Sequence, residues 1–204
     1  MNTKTIVVFA VSFIFGLVLG QAVLPPSFGE NVRTRMGWGG GMMGGDSSMS
    51  RNIDRHFIEE MIPHHEGAIA MAQIALERST RPEILSLSQD IIEAQTREIN
   101  DMKEWYESWF GTPVPVTSQH MMGGVGMVHM GGMTGDTQVL ENIASSEFDK
   151  EFLNQMIPHH EMAVAMGRML AASTERSEMQ TLAGQIIASQ SREIDMMRGW
   201  LASW

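Results

Sequence analysis

The chain has 204 residues, a formal net charge of −10, an isoelectric point near 5.1 and no cysteine. The acidic balance excludes a nucleic-acid partner, since binding phosphate backbones needs clustered Lys and Arg to displace counterions. The missing thiols exclude disulfides, zinc-finger sites, thiolate copper sites and cysteine nucleophiles. Methionine, in contrast, occurs 20 times; some of it fills irregular core gaps, but not the residues that lie among glycines.

After Lys4 an apolar run extends from Ile6 to Leu19 and continues, with few interruptions, to Leu24. The positive start, the length of the run and the small residues Gly20 and Ala22 fit a secretory signal. Uncut, residues 5–24 reach the roughly 20 needed to span a bilayer as a helix. Residues 1–24 are therefore expected to be a hydrophobic signal or anchor helix. On that expectation the remainder is periplasmic or extracellular, either secreted or held to the inner membrane by residues 5–24. Contact with a membrane is expected only through this segment, if it is uncleaved.

Residues 25–52 form a linker in which Gly37 to Ser50 is dominated by Gly, Met and Ser and cannot build a packed core. Residues 53–110 and 139–204 then read as two copies of one unit, separated by a Met/Gly/His-rich linker at 111–138. The copies align without a gap at an offset of 95 positions: Asp54 with Asp149, Phe57 with Phe152, Met61 with Met156, His64-His65 with His159-His160. Gln95 matches Gln190, Glu98 Glu193, Met102 Met197, and Trp109 Trp204, which marks an internal duplication.

Each copy reads as a helical hairpin, the first helix from near Ile53 to Arg78 and the second from near Pro82 to Trp109. Ser79 and Thr80 are candidate N-caps, and Pro82 suits the first turn. Pro63, and Pro158 after it, sit inside a helical pattern, where proline removes a hydrogen bond and crowds the preceding turn. A kinked continuous helix is expected there rather than two helices. A short turn near residue 80 makes the helices antiparallel, which sets His64 and His65 level with Gln95 and Glu98, and Met61 near Glu98 and Met102. One hairpin buries a single seam. The two should therefore pair into an all-α four-helix bundle about a pseudo-two-fold axis, bringing His64, His65, Glu98, His159, His160 and Glu193 into one layer.

The peptide Met-Ile-Pro-His-His-Glu occurs at Met61–Glu66 and again at Met156–Glu161. Imidazole and thioether are both good ligands for copper, so the twin motif points to a soft-metal site. The bland alternative is a buried polar layer in which imidazole pairs with Glu and Gln. Adjacent residues on a helix point about 100° apart, so the two histidines of a pair cannot aim at one point. Met102, Glu98, Met197 and Glu193 face the motif from the second helices and join the candidate ligands.

The pattern Phe-x-x-x-Met-Ile-Pro-His-His-x-x-Ala-x-x-Met, followed by Gln-x-x-Glu-Ile-x-x-Met and a terminal Trp, resembles the ferritin-like bacterial family known as domain of unknown function 305. The resemblance covers about 54–109 and 149–204. It implies a ferritin-like bundle and, because some members are exported copper-binding proteins linked to copper tolerance, a similar role. It carries over Met61, His64, His65 and Met71, with Met156, His159, His160 and Met166, as ligand positions. His56 departs from the repeat, with Glu151 opposite it, so the two sites need not be equal.

A second constellation lies in the central linker, where His120, Met121, Met122, Met127, His129, Met130 and Met133 form a dense thioether and imidazole cluster. Thioether favours Cu(I), and the spacing of three suits a loop wrapping one ion. Met36, Met42, Met43 and Met49 make a poorer copy. The alternative is a Gly-rich spacer whose Met content is incidental.

These readings combine into an exported copper-binding protein for buffering, transfer or resistance, preferring Cu(I) and admitting Cu(II). Its partners would be the metal ion and a copper exporter or another exported copper protein. It is not expected to be an enzyme. A ferritin-like metal-dependent oxidase is the rival, but the carboxylates are few for a di-iron centre; a structural module without metal is the third reading. Affinity is expected to fall as pH drops through about 6.5, where imidazole takes up its proton. The four Trp residues at the helix ends read as packing, and Glu59, Glu60, Arg97 and Asp101 as solvated charges.

Overall fold

Two helical hairpins carry the fold. The computed structural model describes residues 46–115 and 136–204. Among these are five helices and no strand: α1 (Asp46–Arg78), α2 (Pro82–Phe110), α3 (Thr137–Asn142), α4 (Ser145–Ala171) and α5 (Ser177–Ser203). The expected signal or anchor segment, Met36, Met42 and Met43, and the linker cluster from His120 to Met133 lie outside the described residues. No helix among the described residues is long and apolar enough to cross a membrane.

The helix termini follow local chemistry with two departures from expectation. α1 is helical from Asp46, the first described residue, and so extends well ahead of Ile53, where the sequence pattern placed its start. The N-cap of α2 is Arg81 in extended conformation, with Pro82 at the first helical position. Ser79 does not cap. Its Oγ accepts from the Arg81 N–H at 3.2 Å and donates to Asp149 of the other hairpin at 2.6 Å, so its hydroxyl is already engaged. Thr174 plays the first of these parts ahead of α5, accepting from the Arg176 N–H at 3.1 Å. α2 stops at Gly111, whose φ of 69° few other residues adopt, and whose N–H donates back to the Glu107 carbonyl. Both prolines lie within unbroken helices.

The hydrophobic residues fall into two cores. One joins Ala68, Met71, Ala72 and Ala75 of α1 and Ile84, Leu87 and Ile91 of α2 to Phe148, Phe152 and Met156 of α4 and Ile194 and Met197 of α5. The other joins Phe57, Ile58, Met61 and Ile62, with Ile99, Met102 and Tyr106, to Ala163, Leu170, Met179, Leu182, Ala183 and Ile186. Each core thus combines the turn end of one hairpin with the open end of the other. The hairpins are therefore antiparallel, and the motif residues of all four long helices lie between the cores.

Both ends are closed by matching clasps. Arg81, at the turn of the first hairpin, pairs with Asp149 at 3.1 Å and lies over the Trp204 ring at 4.0 Å. Arg176, at the turn of the second, pairs with Asp54 at 3.3 Å and lies over Trp109 at 4.0 Å. The terminal tryptophans are thus partners of arginine as well as packing groups. α3 covers the end of α1: Leu140 is fully buried in the first core, and the Arg78 guanidinium donates to the carbonyls of Leu140, Glu141 and Ile143.

Candidate metal centre

His64, His65, His159 and His160 are all buried, with at most 2% of any of them exposed. The His64 and His159 rings meet across the α1–α4 contact with centroids 3.7 Å apart, tilted by 39°. Their neighbours, equally buried, point away from that contact. His65 Nε2 lies 2.6 Å from Glu98 Oε2, and His160 Nε2 lies 2.7 Å from Glu193 Oε2. The angle between successive helical side chains produces this division: one imidazole of each pair faces the other hairpin, and the next faces the second helix of its own.

A carboxylate can only accept, so in each neutral His–Glu pair the Nε2–H donates and the ring's lone pair is left on Nδ1. The Nδ1 atoms of His65 and His160 are buried and have no hydrogen-bond partner. A carboxylate that fixes the tautomer and orientation of an imidazole in this way is a common companion of metal-binding histidines. Neither ring nitrogen of His64 makes a hydrogen bond. Its pKa is pushed down to about 3, first by burial and then by the positive charges that His65 and His160 would carry, with only a weak opposing pull from the His159 backbone. His64 therefore stays unprotonated well below pH 6.5, and protons do not compete for it where the sequence alone suggested. Gln95 and Gln190 complete the layer, each buried with an unpaired Oε1.

The thioethers divide along the bundle. Met61 precedes His64 and His65 by one helical turn, and Met156 does the same for His159 and His160. Both are fully buried, as are Met102 and Met197. Met61 shares a core with Met102, and Met156 shares one with Met197. Met71 and Met166 stand seven residues beyond the first histidine of each pair, about 10 Å along the helix, and belong to the flanking cores rather than to the imidazole layer. Among the described residues no three His, Asp or Glu side chains converge as a metal-holding group. Buried thioethers one helical turn from each histidine pair set sulfur near nitrogen, a combination that suits soft copper.

Several contacts escaped the sequence. Glu59 is not simply solvated: burial would raise its carboxyl, but hydrogen bonds from the Tyr106 hydroxyl at 2.5 Å and Arg55 at 3.0 Å outweigh this and hold it low. Burial, reinforced by the charges of Glu193 and Glu93, pushes the Asp90 carboxyl up. Met162 and Met169 on α4 and Met196 on α5 are exposed; periodicity alone did not show which faces would be left open.

The fold and the site together define an all-helical bundle with four buried imidazoles at its centre. The chain belongs to the family described as domain of unknown function (DUF305), whose model matches residues 54–204. It is similar to CopM in the Cu(II)-bound form, with 46% identity and a TM-score of 0.66, covering 74% of this chain and 97% of that one. Against CopM in the Cu(I)-bound form the identity is 44% and the TM-score 0.65, covering 74% of this chain and 96% of that one. An uncharacterized protein, L153 of Acanthamoeba polyphaga mimivirus, is 43% identical over 53 residues, which are 26% of this chain. The match spans only 35% of that viral relative's length.

Proposed function

We propose that this chain is an exported copper-binding protein that buffers copper, passes it on or confers tolerance to it. Ions are captured by the Met- and His-rich linker residues and held on the bundle by His64, His65, His159 and His160 with Met61 and Met156. Glu98 and Glu193 act by orienting imidazoles. Cu(I) is the preferred ion and Cu(II) is admitted; a copper exporter or another exported copper protein is the exchange partner. The periplasm or the extracellular space is the site of action.

The observation that carries this reading is the pair of Glu-anchored imidazoles, His65 and His160, each with a buried Nδ1 that no protein group satisfies. Leaving such an atom unpaired costs about 1–3 kcal/mol, and a bound ion would recover it. The similarity to CopM structures containing Cu(I) and Cu(II) supports copper as that ion. The donor set favours binding over oxidase chemistry, since two carboxylates each tied to an imidazole do not furnish the Glu-rich ligand set of a di-iron site.

The test is a Cu(I) competition titration of the full chain beside the double variant His64→Ala, His65→Ala. Loss of bound copper in the variant is expected. Unchanged stoichiometry would make the layer structural and leave copper to the linkers, and binding no tighter than that of free methionine would defeat the proposal.

A further inference from the structure

Four large apolar side chains are exposed among the described residues: Val139, Met162, Met169 and Met196. Three are methionine, and all three lie on the second hairpin. Met162 and Met169 flank Met166 on α4 at spacings of four and three, so the three thioethers share one face of the helix. Met162 is 43% exposed and Met169 64%, while Met166 is half-buried against the core that contains Met61 and Met102.

The first hairpin has no such face. Its equivalent positions are Gly67, Met71 and Ile74, and Met71 is fully buried. α3 lies over the end of α1, with Leu140 in the same core as Met71 and Arg78 donating to the Leu140 and Glu141 carbonyls. At the position equivalent to Arg78, just past the end of α4, stands Ser173, which has no guanidinium to hold a covering helix.

We propose that Met162, Met166 and Met169 form a surface site for a soft monovalent metal ion, Cu(I) or Ag(I), that only the second hairpin possesses. The proposal rests on the copper reading and extends it to a place outside the imidazole layer. Thioethers one turn apart can bind such an ion in pairs, through Met162 with Met166 or Met166 with Met169, and thioether selects soft ions over those that prefer oxygen. An exposed Met gains little from apolar burial and is open to oxidation, so packing does not account for this face. No Lys or Arg falls on the same stripe of α4: Lys150 and Arg168 project well away round the helix. Two turns before Met162, on the stripe itself, Gln155 Oε1 accepts from the Asp136 N–H at 2.8 Å. The chain leaving the Met- and His-rich linker is therefore pinned to the face that carries the thioethers.

The test uses the full chain with ¹³C-labelled methionine methyl groups and Ag(I) as the probe. The methyl resonances of Met162, Met166 and Met169 are expected to move on titration, and the double variant Met162→Leu, Met169→Leu to bind one ion fewer. Leucine keeps the apolar volume, so the fold should persist, and the methyl spectrum of the remaining residues reports on it. If those three resonances stay fixed while Ag(I) binds and is lost on replacing the four histidines, the surface site is overturned and the bundle site stands. If Ag(I) perturbs no methionine or histidine of the bundle, both are overturned.

Discussion

The imidazoles of His64 and His159 touch at the centre of the bundle, 3.7 Å between ring centroids, where two hairpins contribute the same residue from opposite directions. An aliphatic pair would fill such a position more favourably. Polar rings held there without full hydrogen bonding at His64 are a cost that packing does not recover.

One consequence is a pH-dependent stability. His64 has a pKa of about 3 in the fold against 6.5 when unfolded. Above pH 6.5 neither state is protonated there. Between 6.5 and 3 the unfolded chain binds a proton that the folded chain refuses, so stability falls as pH falls through that window, by about 1.4 kcal/mol per pH unit. Urea unfolding at pH 7 and pH 4.5 should show a larger loss in the parent chain than in His64→Gln. Equal losses in both would mean that this imidazole is not held neutral.

The same burden predicts an exchange of stability against binding. Replacing His64 and His159 together by Leu removes the polar pair and keeps an apolar contact. The metal-free bundle should gain about 1–3 kcal/mol, while copper capacity falls. A destabilised double variant would show that the two rings contribute more to the fold than their partners indicate.

How much of this could be read in the sequence depended on periodicity. The offset of 95 located both hairpins, and the helical spacing of His65 and Glu98 placed them level, as the 2.6 Å contact shows. The facing of His64 towards its counterpart needed the crossing of α1 and α4, which no pattern within one hairpin encodes. Ser79 was misread for a related reason: its hydroxyl is engaged by Asp149, a residue 70 positions away. The exposure of Met162 and Met169 is a property of the assembled bundle, which spacing along one helix does not encode.

The carboxylates should tune the site without being ligands. Glu98→Gln removes the acceptor that keeps the His65 proton on Nε2, because an amide can present either a donor or an acceptor there. Copper affinity is expected to fall about 10–100-fold with the fold intact, measured by competition with a chromophoric chelator. Glu193→Gln should act alike at His160. An unchanged affinity in both would detach the glutamates from metal binding.

The two clasps look alike but should not be equal. Asp54 is 1% exposed and its charge faces Arg176 at 3.3 Å, a contact whose geometry falls short of a hydrogen bond. Asp149 is 21% exposed and keeps the Ser79 hydroxyl at 2.6 Å even without Arg81. Arg176→Ala therefore strands a buried carboxylate and should cost about 3–5 kcal/mol. Arg81→Ala loses a solvent-screened pair and should cost about 1 kcal/mol or less, with a further, smaller contribution from the stacking on Trp204. Denaturant unfolding of the two variants side by side decides the matter. Similar losses would mean that water reaches Asp54 and that the burial of this clasp is not what distinguishes the two ends of the bundle.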